Sequence, residues 1–78
     1  MKLILFTTDG CHLCERALDE IELCVQDYHF VIQEVDIATD PELLRQYGTS
    51  IPVLYWADKQ QALYWPFDRW QVLNFLKA

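Results

Sequence analysis

The sequence predicts a single α/β domain over residues 1–78, in which a mixed four-stranded sheet is flanked by helices in the order βαβαββα. Three observations indicate this architecture. A chain of 78 residues suits one compact layered unit. Apolar runs first alternate with segments of helical periodicity, which is typical of parallel βαβ units. Two later apolar runs are separated only by a polar turn, which predicts an antiparallel hairpin.

The first strand and the first helix are separated by a turn. Residues 2–8 form an apolar run that ends in two threonines, and this run predicts a buried strand. Asp9 and Gly10 form a turn signal. From Leu13 the apolar residues recur at helical spacing, so an amphipathic helix of about four turns is expected, ending near Asp27. Its apolar stripe is predicted to consist of Leu13, Cys14, Ala17, Leu18, Ile21, Cys24 and Val25.

A second strand and a short helix follow. Residues 29–37 alternate in polarity, and a right-handed crossover through the first helix would make this strand parallel to the first. Asp40 can cap the next helix, Pro41 suits its first position, and Gly48 can end it. The side chains expected to face the core from this helix are Leu43, Leu44 and Tyr47.

The C-terminal part predicts a hairpin and a last helix. Residues 51–56 and 62–65 read as strands joined by the polar turn 58–61. The third strand begins at a proline, which is an allowed place for one. Asp68, with a glutamine three residues later, resembles a capping box for a helix over residues 69–77.

The charge balance excludes several classes of partner. The chain has 12 acidic and 6 basic residues and a net charge of −6. Nucleic acids and membrane surfaces are therefore poor partners, because both are recognised largely through clustered Lys and Arg. The N-terminal apolar run is too short for a signal peptide, and no apolar run approaches the roughly 20 residues of a membrane span. We expect a cytoplasmic monomer, in a compartment where thiols are mostly kept reduced.

The segment Cys11-His12-Leu13-Cys14 is the most informative motif. Two thiols three positions apart at a helix start can close a disulfide, and the first can be held as a thiolate by the unpaired N–H groups there. Cys14 lies on the apolar stripe and should be the more buried thiol. CxxC pairs also ligate zinc, but one chain offers too few nearby cysteines for a closed site, so no metal is expected.

Cys24 is expected to be a packed core cysteine. It follows Cys14 by ten residues, which is about 15 Å along a helix at ~1.5 Å per residue. A disulfide needs Cα atoms within about 7 Å, so the two cannot pair inside one helix. The lone His29 at the start of the second strand is given no role.

Four segments together carry a family resemblance along nearly the whole chain. They are Cys11-His12-Leu13-Cys14 after the first strand, Val35-Asp36-Ile37 ending the second, Tyr47-Gly48-Thr49-Ser50-Ile51-Pro52-Val53 before the third, and Asp68 opening the last helix. This set resembles an atypical glutaredoxin of the thioredoxin-fold superfamily. The resemblance implies a thioredoxin-like fold and a thiol–disulfide oxidoreductase acting on protein or small-molecule disulfides.

The resemblance also implies roles for individual residues. Cys11 would be the nucleophile and Cys14 the resolving thiol. Pro52 would form a cis peptide bond and face the cysteines, and together with the backbone of Ile51 it would hold the substrate. His12, directly after the nucleophile, is expected to tune the site rather than to transfer a proton.

Three departures from the family pattern argue against strong glutathione binding. Thr8 stands where glutaredoxins usually carry a Lys that binds a glutathione carboxylate. Asp9 adds a negative charge near Cys11. The segment Trp65-Pro66-Phe67 occupies the place of a Gly-Gly pair, and Pro66 lacks an N–H donor. We therefore expect no cofactor and glutathione at most as a weak co-substrate, with a thioredoxin reductase-type enzyme or glutathione as the reductant.

Two alternatives stay open at this stage. The chain could be a non-enzymatic binding module of the same fold, or a dimer that bridges an iron–sulfur cluster through Cys11. The aromatic residues Trp65, Phe67 and Trp70 could belong to the core or form an apolar lip beside the cysteines for a protein partner, with the core favoured.

Overall fold

Four strands and three helices follow one another in the predicted order. The computed structural model describes residues 2–24 and 28–77. The elements are β1 (Lys2–Thr7), α1 (His12–Glu22), β2 (Val31–Asp36), α2 (Pro41–Tyr47), β3 (Val53–Trp56), β4 (Gln61–Tyr64) and α3 (Arg69–Lys77), with short 3₁₀ turns at Ile37–Thr39 and Ala57–Lys59.

The strands form one mixed sheet in the order β2-β1-β3-β4. β1 and β2 are parallel, whereas β3 is antiparallel to both β1 and β4. Phe6 shows the arrangement, because it is paired with Val35 on one side and Val53 on the other. The predicted mixed sheet, with its parallel first pair and its C-terminal hairpin, is confirmed.

The two faces of the sheet are covered by different helices. α1 and α3 pack over the face that carries Leu3, Leu5 and Leu54, and these three side chains are fully buried. α2 covers the other face, where the rings of Phe6 and Tyr47 stack with their centroids 4.5 Å apart. Because side chains alternate along a strand, successive residues of β1 point alternately into the two cores.

The helix starts follow from the predicted caps. Asp40 Oδ1 accepts hydrogen bonds from the N–H groups of Glu42 and Leu43 at 2.9 and 3.3 Å. At α3, the Gln71 N–H donates to Asp68 Oδ1 and the Asp68 N–H donates to Gln71 Oε1, both at 3.0 Å. Each cap satisfies backbone donors that the first turn of a helix leaves unpaired, so both cap predictions are confirmed.

Several details differ from the sequence predictions, and one is β2, which was expected over residues 29–37 and spans Val31–Asp36. α1 ends at Glu22 rather than near Asp27, and both Asp27 and Val25 lie outside the described residues. Leu13 is 43% exposed because it occupies the first turn of α1, beyond the end of β1. Leu44 is 49% exposed because α2 has only 7 residues, and its sheet-facing side is already formed by the i, i+4 pair of Leu43 and Tyr47.

The hairpin is shifted slightly from its predicted position. β3 begins at Val53, after the proline, and β4 begins at Gln61, which had been expected to belong to the turn. The chain reverses through a 3₁₀ turn that ends with Gln60 at φ 51°, in the left-handed region. In the parts of the chain that the structure describes, no helix is both long and apolar enough to cross a membrane.

Candidate functional site

The turn between β1 and α1 presents the first cysteine at the start of a helix. Gly10 has φ 76°, a conformation that glycine adopts without the steric penalty of a side chain. Cys11 then takes an extended conformation as the N-cap residue of α1. Its side chain is therefore held beside the unpaired N–H groups of the first helical turn.

Cys11 and Cys14 form a disulfide, with their Cα atoms 5.2 Å apart. The Cys14 N–H donates to Cys11 Sγ at 3.1 Å, so this sulfur also serves as the cap of α1. Cys11 is half-buried, whereas Cys14 faces the sheet and is only 5% exposed. The predicted difference in burial between the two thiols is confirmed.

One edge of the sheet brings the other site residues next to this turn. β1 ends at Thr7, which is paired with Asp36 of β2. Because β3 runs antiparallel to β1, Pro52, just before β3, lies beside the same end of β1. The Trp65 N–H donates to the Pro52 carbonyl at 3.2 Å, so the pairing of the hairpin continues one residue beyond β3 and β4. Cys11 follows Thr7 after a turn of three residues, so it lies near the same end of the sheet.

The segment before β3 has the expected proline geometry. The Ile51–Pro52 peptide bond is cis, as the family resemblance implied, and the Trp65–Pro66 bond is cis as well. The Ile51 N–H donates to the Tyr47 carbonyl at 3.2 Å, and the Ile51 side chain packs against the core beneath α2. The backbone N–H of Ile51 is therefore already engaged, which leaves its carbonyl as the group of this residue that could meet a substrate. The role of Ile51 and Pro52 in holding a substrate stays a prediction.

His12 is directed toward solvent and toward a carboxylate. Its Nδ1 lies 3.4 Å from Glu15 Oε2, and the two side chains are 91% and 77% exposed. The imidazole is thus solvated, as expected, and in its protonated form it would pair with Glu15. Asp9 is also exposed. The tuning roles of His12 and Asp9 stay predictions.

A cavity of about 200 Å³ opens beside the disulfide. The two cysteines form part of its wall, and its charged lining residues are Asp9, Glu15, Glu34 and Asp36. The sequence reasoning missed Glu34 and Asp36 as site residues. The alternation of β2 places both on the same strand face as Ile32, at the edge of the sheet, where Glu34 is exposed and Asp36 is half-buried.

A larger groove of about 620 Å³ runs along the opposite flank of α1. Trp65 and Phe67 contribute to it, with their rings edge to face at 5.1 Å. Phe67 is buried, Trp65 is half-buried, and Trp70 is 61% exposed and lies outside the groove. Of the three aromatic residues, only Phe67 is fully a core residue. Arg16, two positions after Cys14, also lines the groove, and the sequence reasoning had not singled it out.

Cys24 takes no part in this site. It is 1% exposed in the core between α1 and α3, and its Sγ lies 3.6 Å from the carbonyl oxygens of both Glu20 and Arg69. Its predicted core position is confirmed. Within residues 2–24 and 28–77, no group of three His, Cys, Asp or Glu side chains is placed to hold a metal ion.

This fold and site define a class of protein. A mixed four-stranded sheet with three helices, a CxxC pair at the start of the first helix and a cis proline at the adjoining sheet edge are the features of the thioredoxin fold. The chain belongs to a particular family within that class, because the model of the Glutaredoxin-like domain (DUF836) matches residues 2–77. No curated protein matches the chain significantly.

Several solved structures share the fold of this chain. The structural genomics target XcR50 from X. campestris is 32% identical, with a TM-score of 0.81, and the match covers 96% of this chain and 95% of that one. Protein Ne2328 from Nitrosomonas europaea is 24% identical, with a TM-score of 0.82 over 95% of this chain and 88% of that one. Thioredoxin 1 from Thermosipho africanus TCF52B shares the fold at 22% identity, with a TM-score of 0.72 over 99% of this chain and 91% of that one.

Proposed function

We propose that this protein is a thiol–disulfide oxidoreductase whose redox centre is the Cys11–Cys14 pair. The observation that carries the proposal is the pair itself, which bonds at a helix start with one sulfur half-buried and the other buried. A dithiol enzyme needs this asymmetry, because one thiol must meet the substrate and the other must react only afterwards.

The reaction starts from the reduced protein. The Cys11 thiolate attacks one sulfur of a substrate disulfide, the substrate S–S bond breaks, and the departing thiolate takes up a proton. Cys14 then gives up its proton and attacks Cys11 Sγ, which releases the second substrate thiol and closes the Cys11–Cys14 disulfide. Two electrons pass from the protein dithiol to the substrate. A thiol reductant, either glutathione or a thioredoxin reductase-type enzyme, returns the protein to the dithiol form.

The surrounding residues have supporting roles in this proposal. A substrate strand would lie across Pro52 and donate a backbone N–H to the Ile51 carbonyl. Asp9 and His12 would adjust the charge around Cys11. Glutathione would be a weak co-substrate, because Thr8 supplies no positive charge and Trp65 and Phe67 fill the place of a flat backbone platform. The protein would work as a cytoplasmic monomer.

A redox titration tests the proposal. The protein is equilibrated with mixtures of reduced and oxidised dithiothreitol, and the free thiols are counted after an acid quench. We expect two thiols to titrate together in the natural protein and none to do so in Cys11→Ser. The reduced protein should also reduce the neutral bis(2-hydroxyethyl) disulfide. A pair that does not cycle would leave the binding module as the better description, and a brown protein with visible absorption would indicate an iron–sulfur dimer.

A further inference from the structure

We propose that the cavity beside the disulfide selects substrates that carry positive charge next to their own disulfide, such as segments rich in Lys or Arg. This inference rests on the proposed function, since it names the class of disulfide that the same centre accepts. It concerns the cavity into which the redox disulfide opens, where an incoming substrate sulfur must be accommodated.

The cavity is acidic because one face of β2 carries an apolar side chain first and carboxylates after it. Ile32, paired with Leu3, packs against the core beneath α1 and α3. The next two residues on that face are Glu34, paired with Leu5, and Asp36, paired with Thr7. The face therefore turns from apolar to anionic at the end of the sheet where the disulfide lies. Glu34 is exposed and Asp36 is half-buried, so both carboxylates can meet a molecule that enters the cavity.

The charge of this wall is not neutralised by nearby cations. Of the residues that line the cavity, four are carboxylates and none is Lys or Arg. In the described part of the chain, Asp9, Glu34 and Asp36 have no ion-pair partner, and Glu15 faces only His12. Asp36 accepts one hydrogen bond, from the Ala38 N–H at 2.9 Å. A cleft lined by charges of one sign attracts ions of the opposite sign and raises their local concentration.

The carboxylates therefore make the rate of attack by Cys11 depend on the charge that lies next to the substrate disulfide. An anionic disulfide must bring its charge within a Debye length of these carboxylates, about 10 Å at 0.1 M salt, to reach Cys11. A cationic disulfide gains from the same field. Steering of this kind changes association rates by roughly ten- to a thousandfold, and salt weakens it.

A single-turnover experiment measures the preference. The reduced full-length protein is mixed with each of three disulfides of similar size, the dication cystamine, the neutral bis(2-hydroxyethyl) disulfide and the dianion 3,3′-dithiodipropionate. Loss of protein thiols gives the rate. Each rate is divided by that of dithiothreitol with the same disulfide, because this ratio removes the intrinsic difference in leaving-group reactivity. The series is run at low and at high salt.

The expected result is a normalised rate for cystamine at least about tenfold above that for the dianion at low salt, with a smaller ratio at high salt. The double variant Glu34→Gln/Asp36→Asn should lower the ratio by about fivefold or more, and the asparagine keeps an acceptor for the Ala38 N–H. Glu22→Gln/Asp58→Asn is the matched control, since it removes the same number of charges at the far end of α1 and after β3, at the opposite end of the sheet. It should leave the ratio close to that of the natural protein.

The outcomes separate the two proposals. Equal normalised rates for all three disulfides, or a ratio that is insensitive to salt and to the double variant, would overturn the charge preference while the redox function stands. Failure to reduce even the neutral disulfide would overturn both. In a second arm, a disulfide between two lysine-flanked peptides should react faster than one between glutamate-flanked peptides. A preference for cystamine without this peptide preference would restrict the substrate class to small amines.

Discussion

The Cys14 N–H donates to Cys11 Sγ at 3.1 Å, so the two cysteines are joined by a hydrogen bond as well as by their disulfide. This contact makes the sulfur of Cys11 the N-cap of α1. After reduction the same N–H, together with the partial positive charge of the helix start, would face a thiolate. The geometry thus favours charge on one thiol of the pair, while the other is buried against the sheet.

The first prediction concerns the acidity of that thiol. In the reduced protein we expect the pKa of Cys11 to lie below the ordinary value of about 8.5, because the helix start stabilises the anion. Thiolate absorbance against pH on a Cys14→Ser protein gives the midpoint, and Cys11→Ser/Cys14→Ser supplies the background from Cys24. A midpoint at or above the ordinary value would contradict the activation of Cys11.

The second prediction concerns the order of the two thiols. Cys11→Ser should abolish disulfide reduction, because no exposed nucleophile remains. Cys14→Ser should stop after the first step and accumulate a mixed disulfide, which intact-protein mass spectrometry detects as one added substrate thiol. Cys24→Ser is the control and should react as the natural protein does. Mixed disulfides that accumulate on Cys14 in the Cys11→Ser protein would reverse the proposed roles.

The third prediction concerns glutathione. We expect slow deglutathionylation of a model mixed disulfide, because a missing charge-assisted hydrogen bond costs about 1.5–3 kcal/mol, or roughly ten- to a hundredfold in affinity. Thr8→Lys should recover part of the rate. Gln61→Lys adds the same charge near the opposite end of the sheet and should have little effect.

Arg16 offers a further check on the glutathione prediction, since it places a cation in the groove beside Trp65. If the natural protein proves as fast as an ordinary glutaredoxin, and Arg16→Gln removes that activity, then Arg16 replaces the missing lysine and the prediction is wrong.

The fourth prediction concerns stability. Asp68→Ala should lower the free energy of unfolding by about 0.5–2 kcal/mol, the usual cost of a lost N-cap. Asp68→Asn keeps the acceptor for the Gln71 N–H and should lose much less. Urea unfolding of the two variants, both measured in the oxidised state, provides the comparison. Equal losses would show that charge, rather than the hydrogen bond, is what Asp68 contributes.

Most of the fold could be predicted because its signals are local. The caps at Asp40 and Asp68 are set by residues within three positions along the chain, and the alternation of apolar side chains defines each strand. The exposure of Leu13 and Leu44 was missed because it depends on where each helix lies over the sheet. An apolar residue near the border of a helical stripe does not by itself show whether the sheet extends beneath it.

Only those site residues that belong to a local sequence motif could be predicted. Cys11 and Cys14 were predicted from their spacing, whereas Pro52 and the adjacent Ile51 were predicted from the family resemblance. Glu34 and Asp36 are separated from Cys11 by more than twenty residues, and only the parallel pairing of β1 with β2 brings them to the same cavity. The engagement of the Ile51 N–H with the Tyr47 carbonyl likewise follows from the tertiary path of the chain.

The buried thiol of Cys24 can be used to measure local opening of the protein. Its sulfur lies between the end of α1 and the first residue of α3, and 1% of the residue is exposed. An alkylating reagent reaches a sulfur so buried only when the surrounding structure opens, so its labelling rate reports the free energy of that local opening. Comparing the labelling rate in the oxidised and reduced protein would show whether forming the disulfide at the start of α1 changes the local stability at its other end.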